Sequence, residues 1–459
     1  MNLCQNTNQR PKLSDMSDSL SQALSQVVTT VTDPAVIASF TRDWTGRFIG
    51  HADLVVRPES TEQVAAVVRT CHQHDAQIQI QGGNTGLVGG SVPAPKSDKP
   101  ICLISTQGLN SMYDFDEITG HITVGAGTTL SQLQELVRAK GWDFAVDLAA
   151  RESATVGGLV ATNAGGIRVC AFGMTKRSVA GIEMVLANGN VLSNLASPLK
   201  DNTGYAIADM AIGSEGTIGI ITAVKLKLIR PISETTLFLI PTDSMRQALE
   251  ILETVQKSGN QLLAAEYIDA TSMQTIFNHV DLRPLWNQQP PITLLIEVAG
   301  SEVELDLPTN SLGSSEPAGK RTYWQYREAA RDAWTALGNV HKLDVSVAGS
   351  DLANFEMELT ELLSARQDVT NFGSFGHLAD GNLHIEIVGP DADDYEIDKV
   401  VLQLIAMYRG SISAEHGIGR AKREYLQLTR NQIDIDYMIE IKTLFDPNGI
   451  FNPGVLLPD

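Results

Sequence analysis

An α+β fold in at least two domains is predicted by three observations. Short β-branched runs alternate with amphipathic helices up to Pro231, a split βαβ rhythm of longer strands follows, and dense glycine clusters fall mainly in the first part. The 459 residues allow two or three cores.

Residues 1–42 read as a helical leader. The first 22 are polar and lack a secretory apolar stretch, Met16 is a second candidate start, and 17–42 carry periodic apolar residues. DLVVRP is a short strand stopped by Pro58. Ser60 and Gln63 then give a capping-box signal, and Val64, Val67, Val68 and Cys71 recur at helical spacing. AQIQIQ alternates as a strand and runs into GGNTGLVGG. HITVGAG is strand then turn, and TTLSQLQELVRAKG is a helix with Leu130, Leu133 and Leu136 on one face. VAGIEMVLANGNVLSN is a hairpin turning at Asn188-Gly189. After Pro231 come the strand TTLFLIPT, the helix SMRQALEILETVQKSG and the strands LLAAEYID and ITLLIEVAG. Residues 306–319 read as a polar loop, HKLDVSV as a strand, and DLANFEMELTELLSAR as a helix burying Phe355, Leu359, Leu362 and Leu363. The expected domains are 43–230, 231–440, and a C-terminal segment, 441–459, that returns to the first.

Composition excludes several functions. Acidic residues outnumber basic ones 54 to 34, a net charge of −20 that repels phosphate polymers, so no nucleic-acid partner is expected. No integral membrane segment is expected, because no window approaches eighteen uninterrupted apolar residues. The four cysteines are dispersed with no CxxC pair, which suits a reducing compartment, and the cytoplasm is the default location.

The glycine clusters carry the first chemical signal. No P-loop sequence exists, and GAGTTL at 125–130 lacks the third glycine of a dinucleotide fingerprint. GGNTGLVGG has five glycines in nine positions after a strand, so backbone N–H groups can approach an anion such as a pyrophosphate, or simply form a turn. ATVGGLVATNAGG, DNTGY and IGSEGTIG add small hydroxyls and amides. Four clusters in one domain suggest an extended ligand across several strand ends.

The second signal is GHLADGNLH. A two-residue turn at Asp380-Gly381 would set His377 directly opposite His384, with both imidazoles on one face and Leu378 and Leu383 on the other. Opposed Cβ atoms about 5 Å apart would let both rings reach one ion. On this segment alone, a metal site and a cross-strand histidine pair stay equally open. Glu415-His416, flanked by Gly417 and Gly419, could add a third ligand and a base.

QGGNTGLVGG, TVGGLVATNAGGIR, LKDNTGYAIADMAIGSEGTIGIITAVKLKL, GHLADGNLH, SAEHGIGRAK and FDPNGIFNPG together resemble the FAD-dependent D-2-hydroxy acid dehydrogenases of the vanillyl-alcohol-oxidase type. The likeness spans roughly residues 43–459, and the first loop is most similar to the D-2-hydroxyglutarate dehydrogenase branch. It implies a two-part FAD-binding domain and an α+β substrate/cap domain with an antiparallel sheet. It implies FAD held by Gly82, Gly83, Asn84, Thr85, Gly86, Leu87, Gly89 and Gly90. Further contacts are implied from Ser153, Thr155, Gly157, Gly158, Ala161, Thr162, Asn163, Gly165 and Gly166, and from Glu215, Gly216, Ile220 and Asn452. The first loop contains no histidine, so non-covalent FAD is expected.

The resemblance also implies a divalent metal held by His377, His384 and Glu415, with zinc expected first and manganese or iron also suited. It makes His416 the catalytic base, and Arg327 and Lys342 the substrate carboxylate anchors. Arg331 and Glu386 depart from the branch pattern of Thr and Asn. They either pair with each other or meet a different distal group on the substrate. Ala348 stands where the branch has proline, and Gln81 where arginine is common.

The implied reaction is oxidation of a D-2-hydroxy acid, D-2-hydroxyglutarate-like, to the 2-oxo acid by hydride transfer to flavin N5. Its expected partners are that small acid, an electron acceptor (electron-transfer flavoprotein, quinone or other) and a second copy in a homodimer. The alternative is a D-lactate or glycolate dehydrogenase or oxidase on the same scaffold. A flavin-binding subunit without its own chemistry would leave the histidine set unused, and a metal hydrolase would leave the glycine clusters unexplained.

Overall fold

The computed structural model describes residues 12–458 except 112, 199, 392 and 393. The start of the expected leader, residues 1–11 with Cys4, and the final residue 459 lie outside the described residues. Among the described residues the rest of the leader holds helices Leu13–Ser25 and Pro34–Phe40, and, against the purely helical expectation, a two-residue strand, Thr30–Val31, between them pairs with Val55 and Val56.

The first sheet holds β1 (Thr30–Val31), β2 (Leu54–Val56), β3 (Gln77–Gln81) and β4 (Ile101–Ser105) in the order β1-β2-β4-β3. β4 runs parallel to both β2 and β3, which requires crossovers, and helix Thr61–Gln73 supplies one. Ser60 caps that helix by accepting from the Gln63 amide. The return bond comes from the Glu59 amide to Gln63 Oε1 at 2.8 Å, one residue before the position a capping box uses. Val64, Val67, Val68 and Cys71 are buried, as their spacing predicts.

The second sheet is antiparallel. It holds β5 (Tyr113–Asp116), β6 (His121–Gly125), β7 (Val179–Val185), β8 (Val191–Ser193) and β9 (Ile220–Lys227) in the order β5-β6-β9-β7-β8. Gly189 turns the β7–β8 hairpin at φ +77°, a backbone angle that favours glycine. Both sheets share one core, which helix Leu130–Arg138 closes through Leu130, Leu133 and Val137, while Leu136 is only half-buried. The chain's last segment lies along β3: the Ile78 amide donates to Ile450 O and the Asn452 amide to Ile78 O, with Phe451 fully buried.

The third sheet is antiparallel with seven strands. β10 (Thr235–Thr242), β11 (Leu262–Asp269), β12 (Ile292–Ala299), β13 (Leu312–Ser314), β14 (Val340–Ser346), β15 (Asn371–His377) and β16 (Asn382–Val388) take the order β13-β10-β12-β11-β15-β16-β14. One face packs Tyr267, Leu294, Leu343, Val345, Leu383 and Ile385 against helices Met245–Lys257, Leu352–Ser364 and Tyr395–Met407. Phe355, Leu359 and Leu363 are buried there, and Leu362 sits half-buried at the edge. Part of the other face packs Leu239, Ile268, Leu295 and Phe375 under helices Ala270–His279 and Pro317–Thr335. The segment read as a polar loop at 306–319 therefore contains β13 and the first turn of a 19-residue helix that starts on Pro317. Those two helices leave the histidine end of the face to loops.

Candidate active site

The histidine strands β15 and β16 are joined by four residues, Leu378–Gly381, rather than by Asp380-Gly381 alone. His377 pairs with Asn382, and His384 with Phe375, which corrects the expected direct opposition of the two histidines. The register is displaced by two residues, an even number, so both rings keep one face and become diagonal neighbours. Their centroids are 5.5 Å apart. Gly381 sets the longer loop. Its φ is +71°, a Cβ there would lie 2.0 Å from Val347 O, and the Val347 amide donates to its carbonyl. Leu378 is thereby drawn into the core, 1% exposed.

Each histidine meets a buried carboxylate. His377 Nδ1 lies 2.6 Å from Glu266 Oε1, across β11 and β15, and Glu266 Oε2 accepts from Arg327 Nε at 2.7 Å. Glu266 is fully buried, and His377 and Arg327 are its side-chain partners among the described residues. Asp344, opposite His384 on β14, accepts from the Glu415 and His416 amides at 2.8 and 2.9 Å and from Asn382 Nδ2 at 2.8 Å. Its carboxylate is also 3.8 Å from His384 Nδ1 and 3.6 Å from His416 Nδ1. These carboxylates set ring orientation and leave Nε2 of His377 free toward Glu415 Oε1, 3.3 Å away. Neither was singled out in the sequence. The available signal was an acid inside an apolar strand run, Glu266 in AAEYID and Asp344 in KLDVSV, where burial demands a partner.

The electrostatics follow from these contacts. Burial disfavours charge on His377, but Glu266 and Glu415 outweigh it and hold the imidazolium well above its ordinary range. Burial opposes ionisation of Glu415, yet His377 brings its carboxyl down to about 2. Burial pushes His384 down to about 3, so that ring is neutral at pH 7. Asp344 stays ionised well below the usual carboxylate range, because His416, Lys422 and His384 overcome its burial.

His377, His384 and Glu415 bring one donor atom each to within 4.8 Å of one another. Three donors around one ion with bonds near ~2.1 Å lie about 3.4 Å apart in tetrahedral geometry, so binding an ion would draw the three side chains closer together. Asp344, His384 and His416 meet the same distance criterion. The first set suits a divalent cation better, because Asp344 already accepts three N–H bonds. Three protein donors leave a position open, the arrangement catalytic metal sites use.

The first two glycine clusters meet each other, and the second reaches Glu415. A Cβ on Gly82 would lie 2.5 Å from Thr155 Oγ1, and one on Gly83 would lie 1.8 Å from Ser153 O, so the first two clusters pack backbone to backbone. Thr155 also caps helix Val156–Ala161, which starts the second cluster. A Cβ on Gly165 would come within 3.2 Å of Glu415 Oε1. The middle of the first loop borders open space: a Cβ on Gly86 meets nothing within 4 Å. A backbone-lined cradle of this kind, ending at the histidine cluster, fits an extended dinucleotide such as FAD.

Several side chains expected to touch that ligand are committed to protein. Glu215 is buried at φ +51°, and its carboxylate accepts from the Ile418 and Gly419 amides, both at 2.8 Å, bracing the Glu415-His416 loop. Asn452 Oδ1 accepts from the Ile80 amide, and its Nδ2 donates to Glu215 O. Asn84 Nδ2 donates to Arg42 O, and Asn163 Oδ1 accepts from the Lys176 amide. Ile220 lies in the core. Leu87, Gly90, Gly157, Gly158, Ala161, Thr162, Gly166 and Gly216 lie on the loops and first turns of the same cradle.

Arg327 lies over the Phe375 ring, with its Cζ 4.8 Å from the centroid, near His384. Lys342 donates to Thr335 Oγ1 at 2.6 Å and lies 4.0 Å from Glu386, its register partner. Burial pushes the Glu386 carboxyl up to about 8, with Lys342 pulling it down. Arg331 is half-exposed and pairs with Asp332 at 3.2 Å, so the expected alternative of an Arg331–Glu386 pair is not what forms.

Residues 232–456 match the family of FAD linked oxidases, C-terminal domain, and residues 52–194 match the FAD binding domain family. With the cradle and cluster, these matches define an FAD-linked oxidoreductase. Over 450 residues the chain is 35% identical to a mitochondrial D-2-hydroxyglutarate dehydrogenase of Danio rerio, covering 94% of this chain and 83% of that one. It is 32% identical to a D-2-hydroxyglutarate–pyruvate transhydrogenase of Saccharomyces cerevisiae, covering 92% and 89%. The chain belongs to the D-2-hydroxyglutarate dehydrogenase family of FAD-dependent D-2-hydroxy acid dehydrogenases. Its fold is that of a 4-ethylphenol oxidase from Gulosibacter chungangensis, solved with isoeugenol, at TM-score 0.72 and 17% identity over 97% of this chain and 98% of that one. Among the described residues, no helix is long and apolar enough to cross a membrane.

Proposed function

We propose that this chain oxidises a D-2-hydroxy acid of about the size of D-2-hydroxyglutarate to the 2-oxo acid, with residues 43–230 and 441–459 holding FAD and residues 231–440 capping the substrate. The observation that carries the reading is Gly165 against Glu415, which brings the glycine cradle to the histidine cluster. When bound, FAD supplies the hydride acceptor and a divalent ion on His377, His384 and Glu415 supplies a Lewis acid.

The chain's own residues do the rest. Arg327 keeps its terminal guanidinium nitrogens for the substrate carboxylate while Glu266 fixes its Nε. His416 stands beside the cluster, its ring stacked on His384 at 5.9 Å, and takes the α-hydroxyl proton. Asp344 holds the His416 backbone and faces its Nδ1, which aims Nε2 at the substrate. An electron acceptor such as an electron-transfer flavoprotein or a quinone then restores the oxidised cofactor. The cytoplasm stays our proposed location, although the name of the Danio rerio relative is mitochondrial.

Steady-state turnover with an artificial acceptor over paired D- and L-2-hydroxy acids tests this. Turnover is expected with D-acids of four to six carbons and not with their L-isomers. Preference for D-lactate or glycolate would favour the alternative on the same scaffold, and activity confined to L-acids would contradict both.

A further inference from the structure

The loop that carries Glu415 and His416 is gripped through its backbone from two directions. On one side, Asp344 of the seven-stranded sheet accepts from the Glu415 and His416 amides at 2.8 and 2.9 Å. On the other, Glu215 Oε1 accepts from the Ile418 amide and Oε2 from the Gly419 amide, both at 2.8 Å. Val88 O, in the first glycine loop, then accepts from the Arg420 and Ala421 amides at 2.8 and 3.1 Å. Gly417, at φ +82°, separates the two carboxylates' grips.

Glu215 is itself held in a backbone conformation that strains any residue but glycine, at φ +51°. Its amide donates to Ala161 O at 2.8 Å, and its carbonyl accepts from Asn452 Nδ2 at 2.7 Å. A Cβ on Gly90 would come 3.3 Å from Glu215 Oε2. One residue therefore joins the first two glycine clusters and the chain's last segment to the histidine loop. Strain of this kind persists where the surrounding contacts over-determine it, and it concentrates at functional sites.

We propose that Glu215 is a positioning residue: with Asp344 gripping the far side of Gly417, it sets His416 and Glu415 in register with the glycine cradle. This rests on the role of His416 proposed above. Asp344 ties the loop to the histidine sheet and keeps the metal donors assembled. Glu215 and Val88 tie it to the cradle, and of these two only Glu215 acts through its side chain.

Glu215→Gln tests this on the holoenzyme. Glutamine keeps one acceptor oxygen and turns an NH2 on the second amide, so one bond of the grip is lost. With the D-2-hydroxy acid that wild type turns over fastest, kcat per bound flavin is expected to fall about tenfold to a hundredfold, the scale of a small misplacement at a reacting centre. KM is expected to stay within about threefold, because Arg327 is untouched. Flavin and metal contents stay at wild-type values, and hydrogen exchange over residues 415–422 quickens. A folded variant with kcat and exchange both unmoved overturns the proposal. So does a loss carried by KM alone, or one that follows loss of flavin or metal. Should that variant not fold, Gly417→Ala takes its place, since its Cβ would press on Glu215 Oε1 at 2.8 Å. The same split is expected, and an unmoved kcat overturns the proposal. Failure of every D-acid to reduce wild-type flavin would instead bring down the underlying reading.

Discussion

His384→Ala is expected to abolish metal binding and to lower kcat by about a thousandfold or more, while FAD stays bound at full stoichiometry. Lewis-acid assistance contributes several kcal/mol, and each ~1.4 kcal/mol is tenfold in rate. His384 is the ligand common to both candidate donor sets, so no alternative triad survives its removal. The cradle proposed for FAD is built from backbone at 82–90 and 153–166, which the substitution does not touch. Losing the imidazole also removes a neighbour of the Phe375 ring, 5.2 Å away, so a modest fall in Tm accompanies the change. Metal analysis and flavin absorbance on the same sample separate the two losses. Full activity in this variant, and in wild type stripped of metal, would refute the metal role.

His416→Ala is expected to cost about a hundred- to ten-thousandfold in kcat with metal and FAD both retained, the range of a lost general base. The ring is 30% exposed and its neighbours are the site's own His384 and Asp344, so the fold should tolerate its loss. Asp344 would keep its bonds from the Glu415 and His416 amides, which need no side chain. Activity within twofold of wild type would move the base elsewhere. Loss of metal together with activity would mean that His416 is a ligand, in the second donor set.

Local chemistry was the legible part of this sequence. The glycine clusters and the histidine pair announce themselves by residue type and spacing, and strands such as ITLLIEVAG by β-branched density. The hairpin register was not legible, because the Val347 carbonyl that packs on Gly381 lies 34 residues earlier in the chain. Its even displacement is what kept both histidines on one face. Asp344 and Glu266 escaped for the same reason: their partners lie 71 and 111 residues away. Helix Pro317–Thr335 escaped because its first turn, PAGK, reads as loop, and the buried Tyr326, Ala330, Ala333 and Trp334 hold the helix on the sheet. Glu215 and Asn452 were placed against the ligand by resemblance. Their side chains brace the loops that would hold it.

Anaerobic mixing of the purified holoenzyme with D-2-hydroxy acids, followed by flavin absorbance, tests the central claim most directly. Rapid bleaching of the oxidised flavin by a D-acid, stoichiometric with the 2-oxo acid formed and needing no partner protein, is the predicted result. A correctly folded protein that holds no flavin, or a flavin that no D-2-hydroxy acid reduces, would contradict the account.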